Sequence, residues 1–255
     1  MTSFGYTILG FGVNANPVAA ATPSIVSSGL ILHYDAGNTD SYPGSGTTWS
    51  NLISDDHDGT LTNGPTFSSD DGGSIVFDGS DDLVECADDL DPEADGLFAA
   101  SSHAWSASAW FNVSDSGSLP DRGAIISRSV GVGSSAPMSV YYESRTSGGR
   151  TGSQVEIRVR GTKTIINDTD ITGTWSNVAV TWDGTTAKTY FNGSFVTNAG
   201  VGSAGEDLKT FRVGNTHGSG KPFKGNISVV KVYEDALTAA EVLQNYNALK
   251  GRYGL

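Results

Sequence analysis

A chain of 255 residues with 33 glycines, 17% charged and 9% aromatic residues suits one large all-β domain and excludes a helical bundle or a coiled coil. Its single cysteine, Cys86, excludes an intrachain disulfide and reads as a small buried hydrophobe. A net charge of −13 argues against nucleic acid and anionic membranes as partners.

The charge is unevenly laid along the chain. Residues 1–121 contain no Lys or Arg and carry eighteen of the 28 acids, which leaves all 15 basic residues for the rest. Because strand-like patterning runs through both parts, the expectation is that they interleave in one sandwich, with acidic loops meeting basic strands.

Residues 1–28 read as an arm and linker ahead of a domain spanning 29–255. Within the arm, Phe4, Tyr6, Ile8, Leu9 and Phe11 are spaced by glycines, and an apolar segment of this kind needs something to dock against. The alternatives are an extra edge strand on its own domain, or a secretion signal over residues 6–21. The signal lacks a positive start and is interrupted by Gly10, Gly12, Asn14, Asn16 and Pro17. No span approaches the roughly 18 apolar residues of a membrane helix.

LILHYDA opens the domain as a first strand. TLTNGPTF, SIVFDG and DLVECA follow, separated by Asn-Gly-Pro, Asp-Asp-Gly-Gly and Gly-Ser-Asp-Asp turn signals. Residues 88–103 form the longest irregular connection. From Trp105 the strands recur: WSASAWFNV, GAIISRS, MSVYYES, QVEIRVRG, TKTIIND, KTFRVGN and NISVVKVYE. In WSNVAVTWDGTTAKTYFNG, Val178, Val180 and Trp182 share one face, Asp183-Gly184 turns the chain, and Asn192-Gly193 offers a further reversal. About a dozen strands with turns every eight to twelve residues predict two packed antiparallel sheets. One helix closes the chain. Thr238 and Glu241 form a capping box, Leu237 and Val242 a hydrophobic staple, Val242, Leu243, Tyr246 and Leu249 one apolar face, and Gly251 the stop.

The turn Asp78-Gly79-Ser80-Asp81-Asp82 sets Asp78, Asp81 and Asp82 together as hard oxygen ligands, and calcium is the ion they suit. The alternative is a solvated acidic turn. For sugar stacking, Tyr42, Trp49, Tyr141 and Tyr142 are the candidate glycan-binding residues, with Phe98 and Phe223 as further loop or edge aromatics; for each the alternative is a place in the core. His33, His57, His103 and His217 are too scattered to propose a zinc site.

In order along the chain, GLILHYDAGNTDSYPGSGTTWSNL, GSIVFDGSDDLVE, SASAWFNV, WSNVAVTWDGTTAKTYFNGSFV and FKGNISVVKVYEDALTAAEVLQNYN resemble laminin-G-like, concanavalin-A-like jelly-roll domains over about residues 29–250. The resemblance implies an all-β jelly-roll sandwich with one short C-terminal helix, and Phe77, Trp110, Trp182, Tyr190 and Phe191 inside it. It also implies calcium at a loop edge, helped by an acid on the last strand where this chain has Ser228. Glycanases of this kind carry Glu-x-Asp-x-(x)-Glu on one strand, and no such run occurs here.

Domains opening with this kind of stretch resemble those in virion proteins of tailed bacteriophages, and MTSFGYTILGFG is similar to N-termini of structural proteins from phages of marine bacteria. The expectation is a non-enzymatic virion protein, decorating the capsid exterior through its arm, bound to capsid or other virion proteins and forming a homo-oligomer. A carbohydrate-binding adhesin for host surface glycans, on a tail, fibre or cell surface, is the alternative.

Overall fold

Strand β16 (Lys224–Tyr233) is the axis of the molecule. Along one edge it pairs with β7 (Trp105–Val113); along the other it pairs first with β5 (Ser74–Asp78) and then with β1 (Leu30–Asp35). The last strand therefore joins the first. The structure, a computed structural model, describes residues 23–87, 90, 103–114, 120–128, 137–145, 152–167, 169–202, 210–218 and 220–255.

Two 8-stranded sheets face one another, and every pairing between their strands is antiparallel. The first runs β14 (Ser194–Ala199), β13 (Ala187–Phe191), β12 (Trp175–Trp182), β7, β16, β5 and β4 (Thr66–Ser68), with β1 added on β16. The second runs β11 (Thr162–Asn167), β10 (Gly152–Val159), β9 (Met138–Arg145), β8 (Arg122–Arg128), β15 (Arg212–Val213), β6 (Leu83–Cys86), β3 (Gly59–Thr62) and β2 (Thr48–Trp49). Between them Val178, Val180, Trp182, Val230 and Val232 of the first sheet meet Val84, Ile126, Val140 and Ile157 of the second. Burying such a side chain contributes about 1.5–3 kcal/mol, so this layer dominates the stability of the sandwich.

TLTNGPTF, which the pattern takes as one segment, is split. Thr62 ends a strand of the second sheet and Thr66 begins one of the first, because Asn63 and Gly64 both take positive φ (70° and 107°) and carry the chain across. The hairpin loop is also longer than Asp183-Gly184. Trp182 pairs with Ala187, and the Asp183 carboxylate accepts from the N–H groups of Thr185 and Thr186. β12 is buried on both faces instead of one, since its outer face is covered as well.

That cover is α1 (Ala239–Leu249) and the 3-10 turn Lys250–Tyr253. The capping box is present: the Thr238 hydroxyl accepts from Glu241 N–H, and the Glu241 carboxylate accepts from Thr238 N–H at 2.8 Å. Leu243 is 45% exposed and does not belong to the packed face. The helix passes through Gly251 into the 3-10 turn and stops at Gly254, whose φ of 72° is left-handed.

Beneath the helix lie two small apolar clusters. One joins Val26, Leu30, Tyr233, Leu237 and Val242; the other joins Trp110, Trp175, Val229 and Tyr253. Acidic and basic parts meet here: Asp35 on β1 is held by Arg252 through two hydrogen bonds of 2.6 and 2.9 Å. A second such contact joins Glu85 on β6 to Arg212 on β15 at 2.9 Å. Phe4, Tyr6, Ile8, Leu9, Phe11, Phe98 and the connection after Ala87, apart from Leu90 and His103, lie outside the described residues.

Candidate functional site

Among the described residues, the aromatic candidates do not reach solvent as a sugar platform requires. Trp49 is fully buried in the central core, stacked on Tyr34 at 5.1 Å. Tyr142 points into the same core, and Phe223 is buried with it. Tyr141, one residue earlier, points away from the core and is nevertheless fully buried, with the Arg122 guanidinium 5.5 Å above its ring. Period-two alternation sends neighbours to opposite faces, and both faces of the second sheet are closed at this point. None of these rings can stack on a glycan as it stands.

Tyr42 sits in a different setting. Its ring is 3% exposed, but one edge lines a surface groove of about 300 Å³. The hydroxyl donates to the Gly46 carbonyl at 2.9 Å, burial raises its pKa, and the ring leans on Phe67 at 5.5 Å. Phe67, half-buried on the edge strand β4, is the ring that the groove presents. Sequence patterning missed it because it reads as one more inward residue of TLTNGPTF. The usable signal is its place on a three-residue edge strand just after Pro65, where one side has no neighbouring strand.

The groove floor is made of backbone. A Cβ on Gly37 would stand 1.8 Å from the Gly72 carbonyl oxygen, and one on Gly73 would stand 2.7 Å from the Gly37 Cα, so two loops touch main chain to main chain. Asp71, held by the Trp175 indole N–H at 2.8 Å, fixes one loop; the Asp35 carboxylate, accepting from Gly37 N–H at 2.9 Å, fixes the other. Thr39 and Ser69 add hydroxyls, and Pro43 an apolar wall. The guanidinium beside the groove, Arg252, is already committed to Asp35. The result is a preformed, uncharged cleft with one aromatic face, of a size suited to a small ligand.

The acidic turn is assembled as the spacing implies. Asp78, Asp81 and Asp82 each offer an oxygen within 4.8 Å of the others; Asp82 is buried and the other two exposed. Two oxygens are occupied: Asp82 Oδ2 accepts from Asp78 N–H at 2.9 Å and Asp78 Oδ1 from Ser80 N–H at 2.7 Å. Burial, and then the negative charges of Asp78 and Asp81, push the Asp82 carboxyl up despite that hydrogen bond. Such crowding of carboxylates is what a divalent cation relieves, and the free oxygens fit a hard one. Ser228 plays no part here: its hydroxyl donates to the Gly73 carbonyl at 2.6 Å and accepts from Tyr253.

On the outer face of the second sheet the carboxylates are neutralised. Glu156 is bonded by Arg122, Arg158 and Lys163 at 2.9, 2.6 and 2.7 Å. Burial pushes Glu143 up, but Arg122 and Lys163 outweigh it and hold the group below its usual range. Glu85 behaves alike, with Thr210 and Arg212 overcoming burial. A sugar-cleaving pair needs one carboxyl held protonated near neutrality beside an ionised one, whereas Glu143 and Glu85 are both held low.

Two antiparallel sheets closed by first and last strands, with an open cleft at the loops, define a lectin-type β-sandwich. The chain belongs to the concanavalin A-like lectin/glucanases superfamily (Laminin_G_3), which residues 78–243 match.

Among solved structures it is similar to domain 4 of AbnA, a GH43 extracellular arabinanase from Geobacillus stearothermophilus in complex with arabinotriose. The TM-score is 0.57 at 19% identity, covering 85% of this chain and 98% of that one. It is also similar to Trypanosoma rangeli sialidase in complex with the inhibitor DANA (TM-score 0.63, 11% identity, 89% and 35% covered) and to the botulinum neurotoxin serotype D binding domain (0.58, 14%, 86% and 51%). The chain thus spans about a third of the sialidase. At these identities the likeness is one of fold. No curated protein matches the sequence. No helix among the described residues is long and apolar enough to cross a membrane.

Proposed function

We propose that the chain is a non-enzymatic carbohydrate-binding protein whose groove between residues 36–44 and 67–73 takes a neutral sugar. The observation that carries this reading is the cleft itself: one half-buried ring, Phe67, over a glycine floor with hydroxyls at its rim and no uncommitted charge among the described residues. An aromatic face suits the C–H side of a pyranose or furanose, while Thr39 and Ser69 suit its hydroxyls. Domain 4 of AbnA, whose whole length this chain matches in fold, is a sugar-bound relative and supports the same ligand class. The neutralised carboxylates of the second sheet support the absence of hydrolysis.

Binding is measured on a glycan array and then by calorimetry, expecting millimolar or tighter affinity. Phe67→Ala weakens it by about tenfold or more, or about 1.4 kcal/mol, while Tyr141→Phe leaves it unchanged. Unaltered binding by the Phe67 variant ends the groove reading. The same titration with and without calcium tests the Asp78, Asp81 and Asp82 turn, where the ion would brace the loop without touching the sugar.

The finer reading is display on a bacteriophage capsid exterior, with the arm of residues 1–28 gripping the shell or sister copies and the groove facing host glycans. What supports it is the apolar leader in the sequence, and the pinning of the chain to α1 just after it: Gln244 donates to the Ser24 carbonyl and Val26 N–H donates to Asn245, both at 2.8 Å. Removing residues 1–22 leaves a folded domain that no longer co-purifies with particles; undiminished incorporation overturns the anchor.

A further inference from the structure

Beneath α1, against the cluster of Tyr233, Leu237 and Val242, lies a small, partly enclosed chamber that the sugar groove does not use. Its volume is about 10 Å³, room for the centre of one water-sized particle. Lys231 of β16 lines it, 1% exposed, and its Nζ has no hydrogen-bond partner. Strand register sets the surroundings: His33 of β1 stands on one side of Lys231, and Ser108 of β7 on the other. Asn177 and Thr181 of β12 and Asn245 of α1 complete the polar wall.

The charges do not balance at this point. Asp35 is the anion of the neighbourhood, and both its oxygens are taken by Arg252, with a further bond from Gly37 N–H. His33 is pushed down to about 4 by burial and then by Lys231, so it is neutral near pH 7 and adds no negative charge. From α1 the facing groups are Val242 and Asn245, and from β7 and β12 they are serine, alanine, asparagine and threonine, all uncharged; Tyr233 of β16, pushed up to about 12 by burial, is neutral as well. A lone buried ammonium is costly unless something negative joins it. It is surrounded by hydroxyl and amide groups, in a space that admits one small particle.

We propose that this chamber is a binding site for a single halide-sized anion, held by the Lys231 ammonium with the Ser108 hydroxyl beside it. The competing occupant is one water beside a neutral amine. Burial lowers Lys231 to about 7, with Asp35 opposing and Arg252 adding to the effect. Anion binding favours the charged amine, so occupancy is greatest below that value and fades above it.

Thermal unfolding of the full chain and of Lys231→Met is compared in sodium bromide and in sodium gluconate at equal ionic strength, at pH 6 and pH 9. General salt effects act on both proteins and cancel in the comparison. The expected result is a bromide-specific rise of several degrees in the wild type at pH 6, absent at pH 9 and absent in the variant. Should the variant fail to fold, crystals of the wild type soaked in bromide at pH 6 decide the matter by an anomalous peak within about 3.5 Å of Nζ. Equal melting in both salts at pH 6, a bromide effect retained without Lys231, or a chamber without anomalous signal overturns the proposal.

Discussion

Replacing Asp35 by Asn is expected to lower stability by about 3–5 kcal/mol, a drop of roughly 10 °C in melting temperature for a domain of this size. The residue is 5% exposed and its carboxylate receives both arms of the Arg252 guanidinium. Asn can still accept from Gly37 N–H, but it leaves the partly exposed Arg252 and the buried Lys231 near one another without a negative charge. The pH dependence should change with it. Lys231 has a folded value of about 7 against an ordinary 10.5, so the unfolded chain binds more protons between those values and stability rises with pH across that window. Without Asp35, which props the Lys231 value up, the window widens toward lower pH and the total rise grows. Urea unfolding of the Asn variant at pH 6, 7.5 and 9 measures both effects, and a wild-type midpoint at all three would refute the argument.

Trp110→Ala is expected to cost a similar 3–5 kcal/mol, with a local signature. The indole is 1% exposed and stacks on Tyr246 at 5.3 Å and on Tyr253 at 4.4 Å, while Tyr253 meets Trp175 at 4.6 Å. These rings fasten α1 and the C-terminal turn to the first sheet. Their loss frees Arg252, which lies against Gly72 of the groove floor, and Tyr253, which reaches the Gly73 carbonyl through Ser228. Hydrogen exchange should therefore accelerate first over residues 239–253, ahead of global unfolding, and Trp110→Phe should restore most of the protection. Unchanged exchange in that segment would mean that the helix is held by other contacts.

Elements whose signal is local were readable from the residues: the strand character of β12 (though not the burial of both its faces), the capping box of α1 and the clustering of Asp78, Asp81 and Asp82 all depend on neighbours a few positions apart. What could not be read depends on partners far along the chain. Alternation places Tyr141 and Tyr142 on opposite faces but does not say that Arg122 closes one of them. Nor does it say that Phe67 ends on an edge strand, because that follows from the crossing at Asn63-Gly64 and from where β5 lies. The groove floor is illegible for the same reason, since Gly37 and Gly72 meet only after β1 has docked on β16. Within NISVVKVYE Lys231 is one basic residue on a strand, and its isolation appears only when α1 covers that face.

The pairing of β1 with β16 also governs how the protein can be made. During translation the opening third of the chain leaves the ribosome with acidic groups whose basic partners do not yet exist, and its first strand must wait for residues 224–233 before it has a lateral neighbour. Closure is thus a late, long-range event, slow by nature, and the nascent apolar strands remain uncovered meanwhile. The abundance of like charge in that early segment keeps the waiting chains apart until the final strand arrives.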